Sequence, residues 1–377
     1  MKIYDLQTPC LLLDRGKMTA NIRRMADRID NLGGVLRPHV KTHKSIDVWR
    51  QVEKHGTVRG LTVSTLREAA YFFENGVNDI LYGVGVSPGK FEAAADLMTR
   101  GCALTVTLDS VEMAEQLAKD GEARGVNYPV LIELDVDGHR AGVDPKGSLL
   151  LDIAAALAPS SGATLRGVMT HAGESYLCNT PEGLARTAKQ ERDSTVLAAK
   201  RLRAAGHAAP VVSIGSTPTA CAVEDLTDVT EIRPGVYTFF DLVMRGVGVC
   251  ATEDIAVSVL TSVIGHQKER GWALTDAGWM AMSRDRGTAG QGVDYGYGEV
   301  CDVSGAPMEG LAVMRANQEH GVIMRQGGGD PPWGQLPIGA MARILPNHAC
   351  ATAAQYAAYN VIDGDDVVDV WPRIGGW

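Results

Sequence analysis

No apolar stretch in these 377 residues approaches the length of a membrane-spanning helix, which sets aside a transmembrane reading. The opening Met1-Lys2-Ile3-Tyr4-Asp5 lacks the apolar core of a secretory signal, so a cytoplasmic location is expected. Cysteine is sparse: Cys10, Cys102, Cys178, Cys221, Cys250, Cys301 and Cys350 are scattered, odd in number and without a C-x-x-C pair. That excludes a disulfide framework and predicts reduced thiols, six of them small buried residues and Cys350 a separate case. Positive charge is in deficit, with 36 Lys and Arg against 45 Asp and Glu and a net charge of −9. A partner with a phosphate backbone is therefore not expected, although a small anionic substrate stays possible. No internal repeat or low-complexity tract is present.

What is present is an alternation. Short, mostly β-branched runs at 35–36, 61–63, 80–82, 104–106, 130–132, 167–169, 211–213 and 229–232 read as strands. Helical patterns lie between them. Met18, Ile22, Met25, Ile29 and Leu32 form one apolar stripe that ends at Gly33-Gly34. Leu66, Ala69, Ala70 and Phe73 repeat the spacing, and 181–205 is a longer helix stopped by Gly206. Eight strands, most followed by a helix, predict a parallel (β/α)8 TIM barrel over 14–248, with an open doubly wound sheet as the alternative. Beyond about residue 250 the strand-like runs 257–264, 272–275, 300–303, 311–314, 342–345 and 367–371 follow one another without regular helices. Segments 1–13 and 249–377 are accordingly assigned to a second, mainly β domain.

Catalytic side chains of a barrel gather just after its strands. Here those segments carry Arg37-Pro38-His39-Val40-Lys41, Asp135 to Arg140, Thr170-His171-Ala172-Gly173-Glu174-Ser175-Tyr176, Gly215-Ser216-Thr217 and Gly235-Val236-Tyr237. A lysine desolvated beside other cations has a lowered pKa and can condense with a carbonyl, which makes Lys41 a candidate; Lys44 reads as a solvated neighbour. The small turns after the seventh and eighth strands have backbone N–H groups suited to a phosphate, or are simply a tight turn and a helix cap. Arg140 is either an anion ligand or the ion-pair partner of Asp135 or Asp137. Tyr176 either donates to a cofactor nitrogen or covers the barrel mouth.

In the β region, His348-Ala349-Cys350 places an imidazole and a thiol two residues apart. If the segment is a strand, both point to one face and suit zinc or a similar ion, leaving positions open for substrate. The plainer alternative is a buried His and a buried Cys. Arg284 and Arg286 flank Asp285 and could clamp a substrate carboxylate, or form ordinary ion pairs.

These residues carry a resemblance. Pro9, 37–42, 137–140, 170–173, 215–219, 276–279, Glu319-His320-Gly321 and 346–350 resemble the D-serine dehydratase / D-threonine aldolase family, the alanine-racemase-like fold-type III group of pyridoxal-phosphate enzymes. The resemblance runs over nearly the whole chain. It implies that Lys41 bears pyridoxal 5'-phosphate, that Arg140 faces its phenolic oxygen and Tyr176 its ring nitrogen, and that His171 belongs to the cofactor site. It implies that Gly215, Ser216, Thr217, Gly235, Val236 and Tyr237 hold the phosphate. His348 and Cys350 would hold a divalent metal (zinc, manganese, magnesium or cobalt), and Arg284, Arg286 and His320 are candidates for reading the substrate. The expected activity is a dehydratase that eliminates the hydroxyl of a small D-3-hydroxy amino acid, with D-threo-3-hydroxyaspartate, giving oxaloacetate and ammonia, the preferred substrate. The family pattern His-x-Cys goes with dehydratases and His-x-Asp with aldolases. His43, common in the aldolases and D-serine dehydratases, keeps a retro-aldol lyase as the alternative, and D-serine is the alternative dehydratase substrate. A non-catalytic pyridoxal-phosphate carrier is disfavoured by the length and by the His-x-Cys pair. A head-to-tail homodimer is implied.

Overall fold

The computed structural model describes residues 1–138 and 140–377; His139, part of the motif at 137–140, lies outside the described residues. The chain divides into two compact units, one of residues 24–235 with 376–377 and one of residues 1–23 with 236–375. The division differs from the expected 14–248, because its first cut falls inside a continuous helix, Arg15–Asn31. The apolar periodicity of that helix gives no sign of a boundary: Met18, Ile22, Met25 and Ile29 are all buried.

The unit of residues 24–235 holds seven parallel strands in sequential order, Leu61–Val63, Asp79–Gly85, Ala103–Leu108, Tyr128–Leu134, Ala163–Thr170, Val211–Ile214 and Glu231–Ile232. The eighth expected strand is reduced to bridges. Leu36 pairs in parallel with both Val58 and Ile232, and His39 with Thr62. Backbone bonds Leu36 N to Thr57 O, Val40 N to Thr62 O, Arg37 N to Ile232 O and His39 N to Pro234 O join the segment to both edge strands, as a barrel requires. Leu81, Leu131 and Met169 form an apolar layer inside the sheet, with Val211 packed against it. The helices that cover the strands start on side-chain caps: Thr65, Ser110 and Thr180 each accept an amide hydrogen from the third residue on.

The second unit is built on a nine-stranded sheet. Six strands, Trp272–Thr275, Gly321–Arg325, Pro307–Ala316, Gly298–Cys301, Met341–Pro346 and Val257–Gln267, close on themselves through the pairing of the first with the last. Cys10–Asp14 runs antiparallel to 257–260 and parallel to 360–362, so the N-terminal strand joins this sheet as expected. Two strands, Gly321–Arg325 and Ala358–Asp363, are additions to the sequence reading. None of the seven cysteines is in a disulfide; of the six expected to be buried only Cys102 and Cys301 are, the others being partly accessible. No helix among the described residues is long and apolar enough to cross a membrane.

Candidate active site

In the barrel unit, the groups singled out in the sequence collect just past the ends of the strands. Lys41 is half-buried in a turn, and its amide donates to Nδ1 of His39 at 3.4 Å. His171 follows the strand Ala163–Thr170, with Nδ1 3.3 Å from the Gly215 carbonyl. Loss of water and then the positive charges of Lys41 and Arg140 hold the His171 imidazole down at about 3, against the pull of the Gly215 carbonyl. The same causes, desolvation first and then Lys41 and Arg233, place His39 well below its ordinary value. Two neutral imidazoles therefore flank the cationic groups. The Tyr176 ring lies 5.9 Å from that of His171, inclined at 45°.

Arg140 pairs with neither Asp135 nor Asp137. Its Nη2 is 3.8 Å from Glu133 Oε1, at the end of a half-exposed side chain. Asp135 accepts the amides of Asp137 and Gly138, while Asp137 accepts that of Glu174. The guanidinium thus keeps most of its donors for another anion. His43 is buried, its Nδ1 against the Ser45 backbone and its ring edge-on to Phe72. Lys44 is tied to Glu68 at 3.0 Å.

Of the amides expected to cradle a phosphate, three are already engaged. Gly215 N donates to Glu191 Oε1 at 3.2 Å and Ser216 N to Thr219 Oγ1 at 3.0 Å, and Ser216 Oγ caps the short helix Thr217–Ala222. Gly235 N donates to Thr217 Oγ1 at 3.1 Å. The Thr217 amide has no acceptor among the described residues. Only glycine serves at 215, where φ is +122° and a Cβ would meet Arg233 N at 2.8 Å. At 235 a Cβ would come to 2.9 Å from the His39 carbonyl oxygen. In the other unit, Val236–Thr238 is a 3-10 turn, and the buried Tyr237 hydroxyl lacks a partner among the described residues. The donors and the glycine-bounded turn fit a phosphate ester beside Lys41.

Sequence reading missed the residue that fastens this rim. Glu191 lies fully buried on the helix Pro181–Ala204, and its Oε1 accepts both Ala172 N at 2.9 Å and Gly215 N. It ties the loop of His171 to the turn of Gly215. Its signal was visible: an acid in the buried row Leu184, Ala188, Glu191, Thr195, Ala198. Arg233, also buried, donates to Ser213 Oγ and to the Thr170 carbonyl beneath the same rim.

In the second unit, His348 and Cys350 are not on a strand. Met341–Pro346 ends before them, His348 is the extended N-cap residue of Ala349–Ala353, and Cys350 stands in that helix's first turn. The two side chains still meet, through the helical turn and not the pleat. His348 Nδ1 is 2.8 Å from Asp285 Oδ2. Loss of water lowers the His348 pKa, but the negative sulfur of Cys350, Asp285 and Asp241 outweigh it and push the value up to about 11. With Asp285 on one ring nitrogen, the N,S donor pair of His348 and Cys350 fits a borderline-soft divalent ion. Asn347 fixes the approach, donating to the carbonyls of Asp285 at 3.1 Å and Gly296 at 2.6 Å. Asp241 accepts the Ala349 amide at 2.9 Å.

Arg284 and Arg286 part company. Arg286 is 2.8 Å from Asp294 and stacks on Tyr297 at 5.1 Å. Arg284 stacks on Trp279 at 5.1 Å and has no ion partner among the described residues. His320 is exposed, just before Gly321–Arg325, and among the described residues no bond joins it to His348 or to either arginine.

Comparison with known proteins identifies the family. A family model described as alanine racemase, N-terminal domain, matches residues 13–243, and one described as putative serine dehydratase domain matches residues 256–362. The chain is 50% identical, over 100% of its own length and 99% of the relative's, to D-threo-3-hydroxyaspartate dehydratase of Delftia sp. (strain HT23). It is 33% identical to the D-serine dehydratase of Dictyostelium discoideum, over 97% of this chain and 96% of that one. A solved structure of D-threo-3-hydroxyaspartate dehydratase, a cysteine-to-alanine variant in the metal-free form, superposes with a TM-score of 0.98 at 50% identity, covering 100% of both chains. The chain belongs to the D-serine dehydratase / D-threonine aldolase family of fold-type III pyridoxal-phosphate enzymes.

Proposed function

We propose that this protein is a pyridoxal-phosphate- and metal-dependent dehydratase that converts D-threo-3-hydroxyaspartate to oxaloacetate and ammonia. The observation that carries the reading is the His348–Cys350 pair with Asp285 on the second imidazole nitrogen. A metal site of this kind is what separates hydroxyl elimination from racemisation, and a relative's cysteine variant is described as metal-free. Half identity to a dehydratase of that name over the whole chain supports the substrate.

Pyridoxal phosphate, when bound, supplies an electron sink for a carbanion at Cα, and a divalent ion on His348 and Cys350 supplies Lewis acidity to the β-hydroxyl. The chain's residues do the rest. Lys41 would hold the cofactor, and its Nζ, when free, would take the Cα proton. The neutral state of His39 and His171 suits this, since neither imidazole adds a charge beside Nζ. Arg140 orients the cofactor's phenolic oxygen and Tyr176 its ring nitrogen. Thr217 N would bind the phosphate, on the frame set by Gly215, Ser216 and Gly235; in the other unit Val236 and Tyr237 are the further candidates. Asp285 holds His348 in the tautomer that offers Nε2 to the ion. The thiolate favours zinc over magnesium.

Product analysis tests the reading. D-threo-3-hydroxyaspartate, D-serine and D-threonine are each incubated with the metal-loaded holoenzyme, and ammonia, keto acid and glycine are measured. Oxaloacetate with equimolar ammonia from the first substrate is expected. Glycine with an aldehyde would replace the dehydratase by a retro-aldol lyase.

A further inference from the structure

The barrel has a second polar mouth. A cavity of about 290 Å³ is lined by Arg37, Arg59, Asp79, Leu81, Thr105, Leu131, Arg166, Val211 and Glu231. Asp79, Val211 and Glu231 are the first residues of their strands, and Arg59 precedes Leu61–Val63. The cavity therefore opens at the N-terminal ends of the strands, whereas Lys41, His171 and Gly215 follow their C-terminal ends. Its inner wall is the apolar layer containing Leu81 and Leu131. Arg37, which the sequence groups with the catalytic rim, belongs here instead.

The charges in this mouth divide into spent and unspent. Arg37 reaches Asp79 through two bonds, at 2.8 and 3.1 Å, and Glu231 through a third at 2.7 Å. The other oxygen of Glu231 accepts from Ser213 at 2.6 Å. Both carboxylates are thus fully engaged with groups already present, and neither is left to attract a cation. Arg59 and Arg166 differ: each is exposed on the cavity wall, and neither has a hydrogen bond or ion pair from its side chain among the described residues. Two open guanidinium forks over a preformed concavity recognise oxyanions, since the planar fork matches carboxylate and phosphate oxygens two at a time. The volume lies at the lower end of ligand cavities, roughly 300–1,000 Å³. It suits a small acid and is too small for a nucleotide.

We propose that the N-terminal mouth of the barrel is a binding site for a small oxyanion, a short dicarboxylate or inorganic phosphate, held by Arg59 and Arg166. The site is separate from the one that binds cofactor and substrate. Its polar floor is held by the bonds of the buried Arg37 to Asp79 and Glu231, so the ligand is met by a formed surface.

Calorimetric titration of the holoenzyme, with its cofactor phosphate site filled, tests this at constant ionic strength with phosphate, succinate and acetate as separate probes. Dissociation constants of about 1 mM or below are expected for phosphate or succinate, with acetate weaker. Phosphate alone binding names a phosphoryl ligand, and succinate alone a dicarboxylate. Arg59→Met and Arg166→Met should each weaken binding by about tenfold or more, and the double variant should abolish it. The cofactor's visible absorbance and the circular dichroism should be unchanged in all three variants. Absence of binding by every probe, or binding that survives in the folded double variant, would overturn the proposal. Neither result depends on which substrate the catalytic rim turns over.

Discussion

Asp285 Oδ2 lies 2.8 Å from Nδ1 of His348. A carboxylate on the far nitrogen of a ligating imidazole fixes the ring and raises its basicity, and losing it usually lowers metal affinity by about ten- to a hundredfold. Asp285→Asn should weaken metal binding by that order while leaving the cofactor spectrum unchanged. Cys350→Ala should do the same more severely and mimic chelation. Titrating metal into the stripped holoenzyme, with binding and ammonia release read in parallel, checks both. Full turnover in stripped protein would remove the metal from the mechanism.

Lys41 and Lys44 can be told apart by chemistry. Lys44 is bound to Glu68 at 3.0 Å, while Lys41 sits between two imidazoles held neutral. Borohydride reduction of the holoenzyme followed by peptide mapping should place the label on Lys41. Lys41→Ala should lose the cofactor's visible absorbance and turnover together, and Lys44→Ala should lose neither.

Glu191 gives a prediction with a pH sign. Burial raises its carboxyl pKa above the ordinary value of 4.5, opposed by bonds from Thr219, Ala172 and Gly215. A raised carboxyl favours the folded state below the unfolded value, and that contribution is lost as pH rises through the folded value. Stability measured against Glu191→Gln should therefore shift against the natural residue as pH rises above about 4.5. Glu191→Ala leaves two buried amides without an acceptor and should cost about 1–3 kcal/mol for each. Cofactor affinity should fall with it, because the loops of His171 and Gly215 lose the bridge through the Glu191 carboxylate. Denaturant unfolding across pH and a cofactor titration read the two effects.

Local patterns carried most of the barrel. The helices at Arg15–Asn31 and Leu66–Glu74 and the seven strands match their apolar spacing, since each element buries one face of a regular period. What pattern could not give was pairing. The segment around Leu36 is a strand only through its bonds to Thr57 and Ile232, and Gly321–Arg325 only through its neighbours 272–275 and 307–316. The turn Gly215-Ser216-Thr217 was legible, but not that Glu191 and Thr219 consume two of its amides. The His348 and Cys350 pair was legible as residue types; its geometry was misjudged because the strand ends at Pro346 and a short helix begins after His348.

Hydroxyaspartate differs from serine by a carboxylate on Cβ, and a buried carboxylate needs a cation. Arg286 is ill suited, being committed to Asp294 at 2.8 Å and stacked on Tyr297. Arg284 Cζ lies over the Trp279 ring at 5.1 Å from its centroid, and its side chain has no ion partner among the described residues. Arg284 is therefore the residue expected to read the second carboxylate. A bond to a charged group is worth about 1.5–3 kcal/mol, or roughly ten- to a hundredfold in specificity. Arg284→Met should lower kcat/KM for D-threo-3-hydroxyaspartate by that factor and spare D-serine, shifting the preference between the two. Arg286→Met should instead lower the melting temperature and depress both substrates alike. Equal losses on both substrates from Arg284→Met would make that arginine structural too, and would move the second carboxylate to another cation.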